Sequence, residues 1–137
     1  MTTNVQPATS LKTAVDQIRD RHIAAVNDGD VEAATSIFAP SAVFLPPGQP
    51  ALEGTSAIRA WFTYVFANFR LQSFDIQPGV VEEQGGIAIE HGSWQGTFEP
   101  KNGSPSMTAG GTYLTVYARS GEGNVRVIRD TFNGMPG

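Results

Sequence analysis

The chain has 137 residues, 40% hydrophobic and 16% charged, with a formal net charge of −4 and no cysteine. That length suits one domain with a substantial core. The acidic balance excludes a nucleic-acid groove, which needs a basic stripe, and the missing cysteines exclude disulfides, thiol catalysis and cysteine zinc sites.

Residues 1–9 are polar and read as a flexible tail, without the basic and apolar blocks of a secretory signal, so a cytoplasmic location is expected. Ser10 is placed to cap a first helix. Leu11, Val15, Ile18, His22 and Ala25/Val26 follow at helical spacing and draw one buried stripe. Asn27-Asp28-Gly29-Asp30 ends that helix, with Gly29 suited to a left-handed terminus. Asp30 then caps a short second helix whose inner face is Val31, Ala34, Ile37 and Phe38, stopped by Ala39-Pro40. Ala42–Leu45 reads as a short strand, and Pro46–Pro50 as a stiff loop that cannot join a sheet ladder. Gly54-Thr55-Ser56 opens a third helix, where Ile58, Trp61, Phe62, Val65, Phe66 and Phe69 form the strongest amphipathic signal in the chain.

Everything after residue 70 reads as sheet. One strand carries Phe74 and Ile76 and continues through Val80-Val81 to a turn at Gly85-Gly86. A long strand spans Ile87 to Phe98, residues 99–105 form a wide hairpin loop, and Thr112–Arg119 is the next strand. Residues 120–124 turn into the last strand. Three consecutive hairpin signals predict an antiparallel meander, and helices followed by a meander make an α+β domain. No apolar run approaches the length of a membrane span. The expected domain runs from 10 to 134, with residues 135–137 as a C-terminal tail.

The sharpest chemical signal is Asp130. On an alternating strand it shares a face with Ile128 and Phe132, and an acid on an apolar face is costly unless partnered, protonated or used. It is either a general base or protonated acid, or a structural carboxylate accepting from Arg126, Arg129 or a loop amide. Glu90 and His91 sit mid-strand on opposite faces, so only one can point inward. Glu90 would give a second carboxylate with Asp130, and His91 a carboxylate–imidazole couple. Tyr113 can donate to a developing oxyanion or simply pack its ring. Phe44, Trp61, Trp94, Phe132 and Asn133 are expected to line a pocket for a ring-containing ligand, although core packing alone explains the aromatic spacing of the third helix. His22 reads as a satisfied core histidine. The histidines and acids lack metal-ligand spacing, no Gly-x-Ser-x-Gly elbow occurs, and the glycines near residue 110 precede a strand, which removes a dinucleotide reading.

Several segments together resemble the nuclear transport factor 2-like superfamily, and within it the SnoaL-like small domains related to ketosteroid isomerases and polyketide cyclases. They are Asn27-Asp28-Gly29-Asp30, Ala39–Phe44, Gly54 with Ile58 and Trp61, Gly110–Leu114 and, most specifically, Arg126–Asn133. The resemblance spans roughly residues 10–134. It implies a cystatin-like cone of three N-terminal helices packed in a curved, mainly antiparallel sheet, usually dimeric through the sheet's outer face. Asp130, Tyr113 and Glu90 offer chemistry analogous to the isomerases, though no local motif aligns them position by position. Asp130 with Arg126 or Arg129 imitates part of the Asp-Arg-Asp set of limonene-epoxide hydrolases, without a second matching aspartate. Two functions stay open. One is a cofactor-free, metal-free enzyme moving a proton on a small apolar or aromatic oxygenated molecule. The other is a non-catalytic ligand-binding or homodimerising module, its partner surface carrying Val125, Val127, Thr115 and Tyr117.

Overall fold

The structure, a computed structural model, describes residues 10–134; the two tails set aside from sequence, 1–9 and 135–137, lie outside the described residues. Helix α1 (Leu11–Asp28) starts where Ser10 accepts a hydrogen bond from the Thr13 amide. It ends at Gly29 in the left-handed conformation, whose N–H donates to the carbonyls of Ala25 and Val26. Asp30 caps α2 (Val31–Ser36) through the Ala33 amide. Helix α3 (Thr55–Asn68) follows Gly54, and its last carbonyls are taken by Lys101, whose N–H reaches Asn68 at 2.9 Å and whose Nζ reaches Phe66 at 2.6 Å.

Six strands form one sheet: β1 (Phe38–Leu45), β2 (Leu52–Glu53), β3 (Phe69–Gln84), β4 (Ile87–Pro100), β5 (Met107–Arg119) and β6 (Val125–Phe132). Their order is β2-β1-β6-β5-β4-β3. The meander β3 to β6 is antiparallel, while β1 runs parallel to β6. The helices pack into the curve of this sheet, burying Val15, Ile18, Ile58, Phe62, Val65 and Phe66 against Phe38, Ala88, Trp94 and Phe98. Among the described residues no helix is long and apolar enough to cross a membrane.

Several boundaries differ from the sequence reading, among them Phe69, read on the third helix's face, which begins β3. Helix α2 stops at Ser36, and Phe38 belongs to β1 rather than to the helix face. The cause is β6: the Val127 amide donates to the Ile37 carbonyl at 2.8 Å and draws this segment into the sheet. Pro40, which has no amide to donate, lies where the β1–β6 register shifts between Phe38 and Val43. Strand β5 begins at Met107, five residues before Thr112, and pairs with β4 down to Phe98.

A β-bulge sets the inner face of β6. Val116 pairs with Arg129 but Tyr117 pairs with Val127, so Ile128 is an extra residue in the ladder. Val127, Asp130 and Phe132 therefore align with Tyr117, Thr115 and Tyr113 on β5. The expected partner surface of Val125, Val127, Thr115 and Tyr117 is thereby corrected: Thr115, Tyr117 and Val127 are buried against the helices, the last at 1% exposure.

Asn27 ties α1 to β3. Its side chain donates to the Phe74 carbonyl at 2.9 Å and accepts from the Phe74 amide at 2.8 Å, as a neighbouring strand would. The preceding Ser73 has φ 55°, the left-handed region that a non-glycine residue rarely adopts.

Gly92 shows why one glycine is needed in β4. A Cβ there would press on the Gln77 carbonyl oxygen and lie 2.9 Å from the Tyr113 hydroxyl. Gly92→Ala is expected to cost about 2 kcal/mol, as overpacking does, and to displace the Tyr113 ring. Urea unfolding and a crystal structure of the variant check this; wild-type stability with an unmoved ring refutes it.

Candidate active site

Register places the candidate groups in rows across the sheet. Glu90, Thr115 and Asp130 are cross-strand neighbours on β4, β5 and β6; Gly92, Tyr113 and Phe132 form the adjacent row. Above them, α1 contributes Arg19 and His22. These groups line one cavity of about 120 Å³, whose walls include Phe44, Trp61, Phe62, Phe74, Trp94 and Phe132. The aromatic walls are ordered: Phe44 stacks on Phe62 at 14° and on Phe132 at 25°, while Trp94 meets Phe132 edge-on at 5.5 Å.

Glu90 is completely buried. It survives there because its carboxylate is surrounded by donors. Arg19 grips it with both ends of the guanidinium, Nε to Oε2 at 3.1 Å and Nη2 to Oε1 at 2.6 Å. The Tyr113 hydroxyl donates to Oε2, and the Tyr117 hydroxyl to Oε1 at 3.4 Å. Arg19 also donates to Asp16 at 2.8 Å. Burial works against the charge on Arg19, but the hydrogen bonds to Glu90 and Asp16 outweigh it and raise its pKa. Burial and the bond to Glu90 raise the Tyr113 phenol; burial and the Glu90 charge raise Tyr117. Both phenols hold their protons.

Asp130 is different. Among the described residues, the side chain that donates to it is Thr115, through Oγ1 at 2.7 Å. Burial pushes its pKa up from 3.8 to about 7, with the Glu90 charge adding and the Thr115 hydroxyl and Thr131 amide opposing. Of the partners offered for a structural role, Arg129 turns its Nη1 to the Ile128 carbonyl instead, whereas a backbone amide, that of Thr131, does reach Asp130. Near neutral pH such an acid exists in both protonation states.

Of the residues picked from sequence, Asp130, Glu90, Tyr113, Phe44, Trp61, Trp94 and Phe132 meet at the cavity. His91 does not: it is exposed on the outer sheet face, because Glu90 takes the inward phase of β4. Asn133 does not either. It is exposed, its side chain is bonded to Thr112, and its carbonyl accepts from the Trp94 indole at 2.8 Å. Of the two carboxylates, Glu90 is held in an ion pair with Arg19. Arg19 was missed, and Thr115 and Tyr117, expected on a partner surface, line the cavity instead. Arg19 carried a signal: it lies four residues after Val15 and three before His22, squarely within the apolar stripe. His22 is not satisfied as expected, for its Nδ1 is buried without a partner. Among the described residues no three His, Asp or Glu side chains converge as a metal site needs.

The SnoaL-like domain family profile matches residues 20–126. No curated protein matches the chain. Among solved structures, a ketosteroid isomerase-like protein from Erwinia carotovora atroseptica superposes with TM-score 0.81 at 17% identity, covering 91% of this chain and 96% of the other. A candidate aromatic ring hydroxylase from Novosphingobium aromaticivorans gives 0.76 at 25% identity, covering 91% and 90%. A candidate dehydratase of the NTF2-like family from Streptomyces avermitilis gives 0.75 at 18%, covering 91% and 96%. For the first and third the likeness is one of fold.

Removing one partner of a buried ion pair strands the other charge. Arg19→Met is therefore expected to destabilise the protein by about 3–5 kcal/mol. Arg19→Met combined with Glu90→Leu should cost less than Arg19→Met alone, as read by urea unfolding. A double variant as unstable as the sum of its singles refutes the pairing.

Proposed function

Because the chain belongs to the SnoaL-like domain family, we propose that it acts on a small, uncharged, oxygenated molecule held in the cone, with Asp130 moving a proton. One contrast carries this reading. The cavity holds two carboxylates in one row; Glu90 is saturated by donors and Asp130 is not. A pKa near 7 fits a group that must both take and return a proton. Isomerisation and dehydration, the reactions named for two of the similar proteins, both use such a shuttle. The volume limits the substrate. A buried water occupies about 10–15 Å³ by the same measure, so 120 Å³ admits about ten non-hydrogen atoms. Tyr113 and Tyr117 act through Glu90, with their protons directed at its carboxylate, and so fix the polar end of the cavity.

The pH dependence has a definite sign. Below about pH 4 both folded and unfolded Asp130 are protonated. Between about 4 and 7 the unfolded group ionises and the folded one does not, so this residue makes stability fall as pH rises, levelling above 7. Asp130→Asn should be more stable than wild type at pH 8, by about 2–4 kcal/mol at 1.36 kcal/mol per unit, and equal to it at pH 3.5. The same substitution should lower proton exchange at the α-carbon of small cyclic ketones in D2O by about 100-fold or more. Wild-type exchange should rise through pH 7, since the base works ionised. An Asp130 carboxyl titrating near 4 by carbon-13 NMR ends this reading.

Support for a homodimer comes from the outer sheet face. Val80, His91 and Leu114 are cross-strand neighbours there, with Ile87 and Ile89 beside them, and Val80, Ile89 and Leu114 are each more than 40% exposed. A contiguous apolar patch of this kind suits burial against a second copy. Leu114→Glu should turn a dimer into a folded monomer by light scattering; a wild-type chain that is monomeric in dilute solution refutes the proposal.

A further inference from the structure

Among the described residues, the fully buried side-chain polar atoms around the cavity all have partners, with one exception. Arg19, Glu90, Tyr113 and Tyr117 form a closed set, and Thr115 serves Asp130. His22 stands apart. Its Nδ1 is buried with no hydrogen-bond partner, while its ring meets Phe38, Phe62 and Phe74 edge-on at centroid distances of 6.3, 5.8 and 6.4 Å. An unmatched imidazole nitrogen inside a protein costs free energy that a leucine at this position would not, and packing alone gives no reason to keep it.

We propose that His22 is the ligand-recognition residue of the cavity, and that its ligand is an uncharged single-ring molecule whose hydroxyl or carbonyl oxygen completes the imidazole's hydrogen bonding. This rests on the cavity being the working site, as proposed above. Four observations converge. The cavity takes about ten non-hydrogen atoms by the water-sized measure. Its walls are largely aromatic, with Phe44, Trp61, Phe62, Trp94 and Phe132 among the lining. The guanidinium that lines it is spent on Glu90 and Asp16, so an anionic ligand would meet two carboxylates, Glu90 and Asp130, with no free cation among the described lining residues. Burial keeps the imidazole neutral at neutral pH by lowering its pKa to about 4. A neutral imidazole has one donor and one acceptor nitrogen, and so can match either a hydroxyl or a carbonyl.

The chain has two histidines, and His91 on the outer face is a built-in control. The test uses the full chain labelled with nitrogen-15 histidine and three probes of one shape: p-cresol, p-toluate and 4-methylbenzylamine. The expected result is that p-cresol shifts the His22 ring resonances and leaves His91 unmoved. It should bind at least tenfold more tightly than either charged probe, and at least tenfold less tightly to His22→Phe. If that variant fails to fold, the His22 shifts in the wild type decide alone. The proposal is overturned if p-cresol does not bind, binds without moving His22, binds folded His22→Phe equally, or ranks below the carboxylate or the amine. Carbon-13 titration of Asp130 on the same protein separates the two readings. An ordinary carboxyl with a responding His22 ends the acid–base reading alone, and a raised carboxyl with a silent His22 ends this one alone.

Discussion

A carboxylate with no access to water organises this molecule. Glu90 is fully buried in the middle of β4, and the chain brings a guanidinium from α1 and two phenols from β5 to its oxygens. Desolvating a carboxylate costs several kcal/mol, roughly, unless the partners are this complete. The partners in turn dictate packing. Arg19 must point inward from a helix that is otherwise apolar on that side, so α1 is held at one rotation over the sheet. Tyr113 must lie across β4, which requires glycine at position 92.

That saturation gives the rest of the cavity its character. The guanidinium and both phenols near the floor are drawn to Glu90, so the neighbouring acid, Asp130, is left with a threonine hydroxyl and the Thr131 amide. Two carboxylates of nearly the same intrinsic acidity, one place apart on either side of Thr115, thus live in opposite environments. The first contributes shape and rigidity. The second carries the proton chemistry proposed above and costs stability wherever it is charged, a trade common where function and folding compete for one residue.

Much of the frame is written in local patterns. Ser10, Gly29 and Asp30 mark helix ends by chemistry that acts within four residues, and the spacing of Ile58, Phe62, Val65 and Phe66 declares the buried face of α3. The parallel pairing of β1 with β6 left no such mark, because it joins residues about ninety positions apart with no hairpin between them. The site divides in the same way. Asp130 and Glu90 stand out as acids among apolar neighbours, but the phase of each strand decides which side they occupy. That phase was resolved only by long-range register, which turned Glu90 inward and His91 outward. Arg19 was concealed by its own rule: a stripe read for apolar residues passes over the one charge that belongs in it. Asn133 was misplaced because the strand ends at Phe132, and the next residue turns its side chain to Thr112.

The bulge in β6 has a meaning for folding as well as for geometry. With Ile128 outside the ladder, Asp130 faces the helices; with Ile128 paired in regular alternation, Arg129 would take that place. The last strand thus has two competing alignments of opposite electrical sign, and the landscape must favour one of them at the end of the chain. A single unpaired isoleucine decides whether the finished chamber encloses an acid or a guanidinium.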